Sequence, residues 1–278
     1  MDPSEYWNKR AQAWAKRMDD HANLPDLYGS AAITALDVRP GEKVLDIGCG
    51  QGITSVDLAE RVGPTGHVVG VDISQAMIDG AVSRLAGQSR AVEFRVGDAA
   101  IESFEDTFDA VFSRFGVMFF PNPDDAFGNI SSVLRRGGRL AWVVWGPLSA
   151  NPWATVPTIA AAQVLGFELE RPEPGSPGPF SLGDTDQLTA MLTTAGFGDV
   201  AFSDITQPRK FPPESALEEL ATWLTIGTTG DAFSAADPGL QLRASEAALA
   251  AIEPYREADG TSGWALPALA RVVTATKL

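Results

Sequence analysis

From residue 43 onward the apolar positions fall into two alternating rhythms. Short β-branched runs read as strands. Between them lie stretches with apolar residues three and four apart, which read as helices. "KVLDIG" (43–48), "HVVGVD" (67–72), "AVEFRVGD" (91–98), "FDAVFSRF" (108–115) and "RLAWVVWG" (139–146) are five predicted strands. The last is apolar on both faces and so belongs in a covered position. The intervening helices are "ITSVDLAERVG" (53–63), "SQAMIDGAVSRLAG" (74–87) and "NPDDAFGNISSVLRRGG" (122–138). Ser74 suits a helix cap. The third helix carries acids in its first turn and arginines in its last, as the helix dipole favours. Strand and helix alternating in this way predict parallel strands joined by crossover helices.

The rhythm loosens after Gly146. "PLSANPWATVPTIAAAQVLGF" (147–167) reads as a loop and a helix, and "ERPEPGSPGPFSLGD" (170–184) is too rich in Pro and Gly for either element. It is a lid or linker candidate, with a plain surface loop as the alternative. "TDQLTAMLTTAGF" (185–197) is a helix closed by Gly196, and "DVAFSDITQ" (199–207) a strand. Two amphipathic stretches follow near 213–227 and 238–257. "GWALPALARVVTATKL" (263–278) is a last strand in which Pro267 argues for an edge or a bulge. The predicted fold is of the α/β class, a doubly wound sheet of about seven strands. We expect one domain: an N-terminal helical cap (1–42), a ligand-binding core (43–146), an inserted lid or substrate wall (147–183), and a C-terminal half with extra helices (184–278).

Composition narrows the ligand. The chain has 36 acidic and 21 basic residues among 278, a net charge of -15, so long nucleic acid or an anionic membrane is repelled on average. A single cysteine, Cys49, excludes an internal disulfide, and His21 and His67 are too few for a His/Cys metal cage. No cationic leader and no long apolar run is present, and the expected location is the cytoplasm. The expected partner is a small molecule, with no metal, no nucleic acid and no membrane; the oligomer is a monomer or homodimer.

In a doubly wound sheet the ligand sits where the first strand turns into its helix. "DIGCGQG" (46–52) occupies that corner. Gly48, Gly50 and Gly52 let backbone turn tightly and let a ligand reach bare amides, although such glycines also serve simply to pack helix on strand. The GxGxG spacing departs from the dinucleotide GxGxxG, which disfavours a nicotinamide dehydrogenase. Asp46, just before the first glycine, repels a pyrophosphate but suits a cationic group. Asp72 ends the second strand about twenty residues past the turn, where an acid accepts ribose hydroxyls. Asp98 ends the third strand, placed to accept from an exocyclic amine. Adenosine with a cationic tail points to S-adenosylmethionine.

"VLDIGCGQG", "VVGVDIS", "VGDAA", "FDAVFSRFGVMFF" and "LRRGGRLAWVVW" together resemble the class I S-adenosylmethionine-dependent methyltransferases, in register from about Val44 to Gly146. "YWNKRAQAW", "ANPWATVP", "PFSLGD" and "AGFGDV" resemble a bacterial branch that methylates small molecules. The resemblance implies a Rossmann-like fold and an enzyme. It places Gly48, Cys49 and Gly50 along the methionine portion, with Asp46 bracing the turn and the amino group. It places Asp72 on the ribose, Ile73 and Met77 beside the nucleoside, and Asp98 and Ala99 at the adenine edge. Ser113 and Arg114 would approach the methionine end, with Phe115 beside the adenosyl group. Ile73 and Met77 also sit at ordinary core spacing.

Methyl transfer from a sulfonium is a direct displacement, so alignment and water exclusion dominate and no acid or base is obligatory. His21 is the economical base if one is needed, since its unperturbed pKa is about 6.5; a solvated histidine is the bland alternative. His67 reads as structural. Tyr6, Trp7, Trp14, Met118, Phe119, Trp145 and Trp153 supply an apolar, π-rich acceptor pocket, together with Phe115 and Phe120. Core packing is the alternative for Phe119, Phe120 and Trp145, and Trp7 and Trp14 share a helix face that would dock the N-terminal helix. The expected reaction is methyl transfer to a small apolar or aromatic metabolite. Methylation of protein or RNA, or a non-catalytic cofactor-binding role, are the alternatives.

Overall fold

The computed structural model describes residues 3–20, 26–86, 91–104, 107–169 and 176–278. The elements in chain order are α1 (Pro3–Asp20), α2 (Leu27–Leu36), β1 (Lys43–Ile47), α3 (Ile53–Val62), β2 (His67–Asp72), α4 (Gln75–Arg84), β3 (Val92–Val96), β4 (Phe108–Arg114), α5 (Pro123–Val133) and β5 (Leu134–Trp145). Then come α6 (Pro152–Leu165), α7 (Thr185–Thr194), β6 (Phe197–Thr206), β7 (Arg209–Phe211), α8 (Ala216–Ile226), α9 (Gly230–Ala235), α10 (Pro238–Ala251), β8 (Trp264–Leu266) and β9 (Leu269–Lys277). Helix starts follow capping chemistry. Asp26 accepts from the Gly29 amide, Ser74 from Met77, and Asp184 from Asp186 and Gln187, each satisfying an orphan donor.

The chain divides into two compact units where one domain was expected. The first comprises residues 1–146, 174–205 and 270–278, and the second 147–173 and 206–269. The expected lid segment 147–183 is therefore divided: α6 goes with the second unit, while 176–183 belongs to the first.

The first unit holds a seven-stranded sheet ordered β3-β2-β1-β4-β5-β9-β6, in agreement with the predicted strand number. β1 pairs in parallel with both β2 and β4, β2 with β3, and β4 with β5. From β1 the chain winds outward to β2 and β3, then returns to lay β4 on the other side of β1. That reversal is the topological switch point where such sheets open a crevice. Alternate residues of β1 feed opposite cores. Leu45 and Ile47 pack with Phe127, Ile130, Trp142 and Leu188, whereas Val44 packs with Ile33, Leu36, Leu58 and Phe112.

Two predicted elements shift. α5 stops at Val133, and the arginines expected in its last turn lie at the start of β5 instead. Phe108 pairs with Leu134 before a register shift, and Arg135 reaches Asp109 at 2.6 Å, so sheet pairing captures residues that the dipole argument assigned to the helix. The last predicted strand is two strands broken at Pro267. β8 pairs with β7, and β9 runs antiparallel to β5 in the interior of the main sheet. The proline stands in the connection, where no ladder donor is required, so it enforces neither an edge nor a bulge.

In the second unit α10 packs on α6 and α8, and β7–β8 form a short antiparallel pair. Asn151, fully buried, ties that unit's chain ends together. Its side-chain amide donates to Pro147 and Leu269 carbonyls, and its oxygen accepts from Leu269 N and Trp153 Nε1.

Candidate cofactor site

The site is built where β1 ends. Gly48, Gly50 and Gly52 all have positive φ (65°, 54° and 77°), the conformation in which a side chain is strained. The amides of Gly48 and Cys49 both donate to the Val71 carbonyl, which hangs the turn on the end of β2. Asp72 completes that attachment: one carboxylate oxygen accepts from Gly50 N at 2.9 Å, the other from Ser74 N at 2.9 Å. Burial raises its pKa, opposed by the Ser74 and Gly50 amides. Each oxygen keeps a second lone pair, the capacity a ribose diol needs.

Asp46 stands one residue before the end of β1. It is fully buried and turned toward α3, where one oxygen accepts from Ser55 Oγ at 2.6 Å and Thr54 Oγ1 at 3.0 Å. Strand alternation explains this, since Asp46 shares the face of Val44, against which α3 packs. The Gly50 amide is held by Asp72. The other oxygen of Asp46 is buried and has no hydrogen-bond partner among the described residues. Burial pushes the carboxyl up to about 6, against the hydrogen bonds from Ser55 and Thr54 and the charge of Arg114. Cys49 is also buried, its thiol raised well above the ordinary range by burial and then by the nearby Asp46 and Asp72 charges.

Opposite the turn stands Gly116, which the sequence argument missed. A Cβ on Gly48 would lie 2.9 Å from Cα of Gly116, so the ends of β1 and β4 approach at backbone contact. Ser113, fully buried, locks that approach: its hydroxyl donates to the Ile47 carbonyl at 2.8 Å and accepts from Gly116 N at 3.3 Å. Gly50, by contrast, faces open space, with nothing within 4 Å of where its Cβ would stand.

Asp98 lies two residues past Val96, the register partner of Asp72, and is half-buried. One of its oxygens accepts from Ala100 N. Ala99 is buried, with its carbonyl held by Asn129. Ile73 is half-buried and Met77 is buried in the first turn of α4.

Beyond β4 an aromatic group assembles. Phe115, at φ 62°, stacks on Trp145 with centroids 4.5 Å apart, and Tyr28 of α2 meets both edge-on at 5.6 and 5.7 Å. A phenylalanine held in the left-handed region is the kind of strain that clusters at functional sites. Tyr28 was missed; the signal was the Asp26 cap, which starts α2 one residue before it. Asp26 also pairs with Arg114 at 2.7 Å, fixing α2 to the end of β4.

Trp7 meets Phe119 edge-on at 4.8 Å, and Tyr6 packs on Trp7 at 5.3 Å. Trp14 is half-buried on the same helix. Met118 belongs to the main core. It is buried, its sulfur accepts from Trp145 N, and its carbonyl accepts from Ser181 and Gly178. Trp153 likewise packs into the second unit, against Trp223 at 4.7 Å and beneath the Arg209 guanidinium at 5.4 Å. Its indole N–H donates to Asn151. His21 lies outside the described residues.

Comparison with known proteins agrees with this geometry. A family described as "Methyltransferase domain" matches residues 44–138. The chain is 33% identical over 192 residues to the ubiquinone/menaquinone biosynthesis C-methyltransferase UbiE of Chromobacterium violaceum, covering 63% of this chain and 74% of that protein. It is 30% identical over 175 residues to phosphoethanolamine N-methyltransferase 1 of Triticum aestivum, covering 63% of this chain but only 32% of the wheat protein. The chain thus spans about a third of the length of that relative. Among solved structures, phosphoethanolamine N-methyltransferase 2 of Haemonchus contortus, in complex with S-adenosyl-L-methionine, shares the fold with a TM-score of 0.59 at 19% identity, over 99% of this chain and 58% of that one. The chain belongs to the class I S-adenosylmethionine-dependent methyltransferases. The residues present fit that family's cofactor: bare backbone faces open space at Gly50, an anionic oxygen on Asp46 is left without a partner among the described residues, and the Asp72 carboxylate ends β2.

Proposed function

We propose that this protein transfers a methyl group from S-adenosylmethionine to a small apolar or aromatic metabolite by direct displacement. When bound, the cofactor supplies an electrophilic methyl on a sulfonium. The chain's own residues then bind, orient and dehydrate. Asp72 accepts the ribose hydroxyls while holding Gly50, the Asp46 charge offsets the cationic methionine end, and Asp98 receives the adenine amine. Gly48, Cys49 and Gly50 line the methionine portion, Ser113 and Arg114 hold the β4 end against it, and Ile73, Met77, Ala99 and Phe115 flank the adenosyl group.

One observation carries the acceptor side: the Phe115–Trp145 stack closed by Tyr28 at the carboxyl ends of β4 and β5. Such faces bind flat, apolar rings and stabilise positive charge developing during transfer. Tyr6, Trp7, Trp14 and Phe119 extend that apolar lining. The segment 176–183, held to the Met118 carbonyl, is the part of the expected lid that serves as an acceptor wall. His21 acts as base where the acceptor must lose a proton. The net charge of -15 and the UbiE likeness favour a neutral ring, such as a quinol, over RNA. No helix among the described residues is long and apolar enough to cross a membrane, and we place the protein in the cytoplasm as a monomer or homodimer.

The second reading is methylation of phosphoethanolamine, favoured by the wheat relative. Methyl-labelled cofactor offered with phenols, quinols, phosphoethanolamine and bulk RNA separates the two. Label is expected in the ring compounds. Label only in phosphoethanolamine or RNA overturns the proposal.

A further inference from the structure

Two consecutive residues of α1 contact the segments that follow β4 and β2. Trp7 packs edge-on against Phe119, in the turn after β4. Asn8 reaches the start of α4, after β2: its side-chain oxygen accepts from Ser74 Oγ at 2.7 Å and from Ala76 N at 3.3 Å. In the sheet β1 lies between β2 and β4, so α1 spans the carboxyl end of β1, where Gly48–Gly52 open. The Asn8 contact continues inward. Ser74 N donates to Asp72, whose other oxygen accepts from Gly50 N, so a hydrogen-bonded chain runs from α1 through Ser74 and Asp72 to the turn itself.

We infer that α1 is a strap closed over the cofactor site, that Trp7 and Asn8 are its two fastenings, and that releasing them sets the rate of cofactor exchange. Asn8 is exposed, so its hydrogen bonds at Ser74 and Ala76 hold the helix down from the surface, outside the core. Trp7 is half-buried and fastens the other side by ring contact alone. Asn8 is a positioning residue that acts through Ser74 and Asp72, while Trp7, part of the proposed acceptor lining, fastens the strap through Phe119. A ligand seated against Gly50 and Asp72 leaves only when this span lifts. The inference rests on the cofactor reading above.

The test is the dissociation rate of S-adenosylhomocysteine, the demethylated product, measured by stopped-flow tryptophan fluorescence on the full chain. Variants are Asn8→Ala, Asn8→Asp and Trp7→Phe, with thermal midpoints recorded in parallel. Asn8→Ala is expected to speed release roughly five- to tenfold, the scale of lost hydrogen bonds, with the midpoint unchanged. Asn8→Asp keeps both acceptor bonds beside a helix start that favours an anion, and is expected to restore the slow rate. Trp7→Phe is expected to speed release severalfold. Wild-type rates in Asn8→Ala or in Trp7→Phe overturn the two-point strap, as does Asn8→Asp matching Asn8→Ala. Failure of the unaltered protein to bind S-adenosylhomocysteine overturns the cofactor reading and the strap together, whereas normal binding with unaltered release overturns the strap alone.

Discussion

Asp46→Asn isolates the energetics of the buried carboxylate. Asp46 is fully buried, one oxygen serves Ser55 and Thr54, and the other has no partner among the described residues. Its carboxyl titrates at about 6 in the folded protein against 3.8 unperturbed. A tenfold change in proton affinity is worth about 1.4 kcal/mol, so the ionised group destabilises the fold by about 3 kcal/mol. The folded state holds this proton over a window in which the unfolded chain has released it. The stability it contributes is therefore complete below about pH 4 and lost as pH rises through about 6. Between pH 4.5 and 7.5 the wild type loses about 2 kcal/mol from this source. Asparagine cannot ionise, and its oxygen still accepts from both hydroxyls. Its amide stands without a partner at a fixed cost of about 1–3 kcal/mol, but that cost does not vary with pH. Urea unfolding of both proteins at the two pH values gives a double difference free of the fixed cost, expected at about 2 kcal/mol in the variant's favour at the higher pH. A double difference near zero, or of the opposite sign, refutes the assignment. S-adenosylmethionine carries cationic amino and sulfonium groups that favour the ionised form. Wild-type affinity should therefore weaken as pH falls through about 6, and Asp46→Asn should lose that dependence.

Three further outcomes are expected. Asp72→Ala should weaken S-adenosylmethionine binding by about 1–3 kcal/mol in calorimetry, since ribose hydroxyls, Gly50 N and Ser74 N all lose an acceptor; unchanged affinity sinks the site assignment. Gly50→Ala should cost only about 1–2 kcal/mol of stability, for a left-handed residue whose Cβ meets nothing, yet reduce cofactor affinity far more than the stability loss accounts for. Binding equal to wild type would show that the open space at Gly50 holds no ligand. His21→Ala should lower turnover at neutral pH while leaving cofactor affinity alone, and equal turnover removes it as a base.

The elements from β1 to β5 were legible because each signal was local. A period-two apolar run bounded by a capping serine or a glycine needs no distant partner to be read, and β2 lies at the predicted His67–Asp72. The misreadings all arose where distant pairing decided the outcome. Arg135 belongs to a strand because Asp109 and the Phe108 register draw it there. Pro267 separates two strands of different sheets, which no local rule distinguishes from a proline within one strand. In the same way the sequence marks Asp46 and Asp72 as acids near the ends of β1 and β2, but not their division of hydrogen bonds. It depends on which face of β1 meets α3 and on the reach from β2 back to Gly50.

This division explains why the donor side is readable and the acceptor side is silent. In the proposed site the cofactor is met by backbone at a chain reversal and by acids at strand ends. Both are fixed by position along a few dozen residues, so their chemistry survives as spacing. The acceptor lining we propose is instead assembled from α2, the residue after β4 and the last residue of β5, three places joined by ring contacts. Each of Tyr28, Phe115 and Trp145 alone is an ordinary aromatic residue; their mutual contacts give them a role. The Asp26–Arg114 pair holds α2, and with it Tyr28, at the end of β4. Acceptor preference should therefore respond to Asp26, a residue with no ring and no place in the cofactor chemistry. Asp26→Asn should shift the ratio of turnover between large and small ring acceptors while S-adenosylmethionine affinity stays the same. A uniform loss across all acceptors would instead show that the pair supports the fold without shaping the pocket.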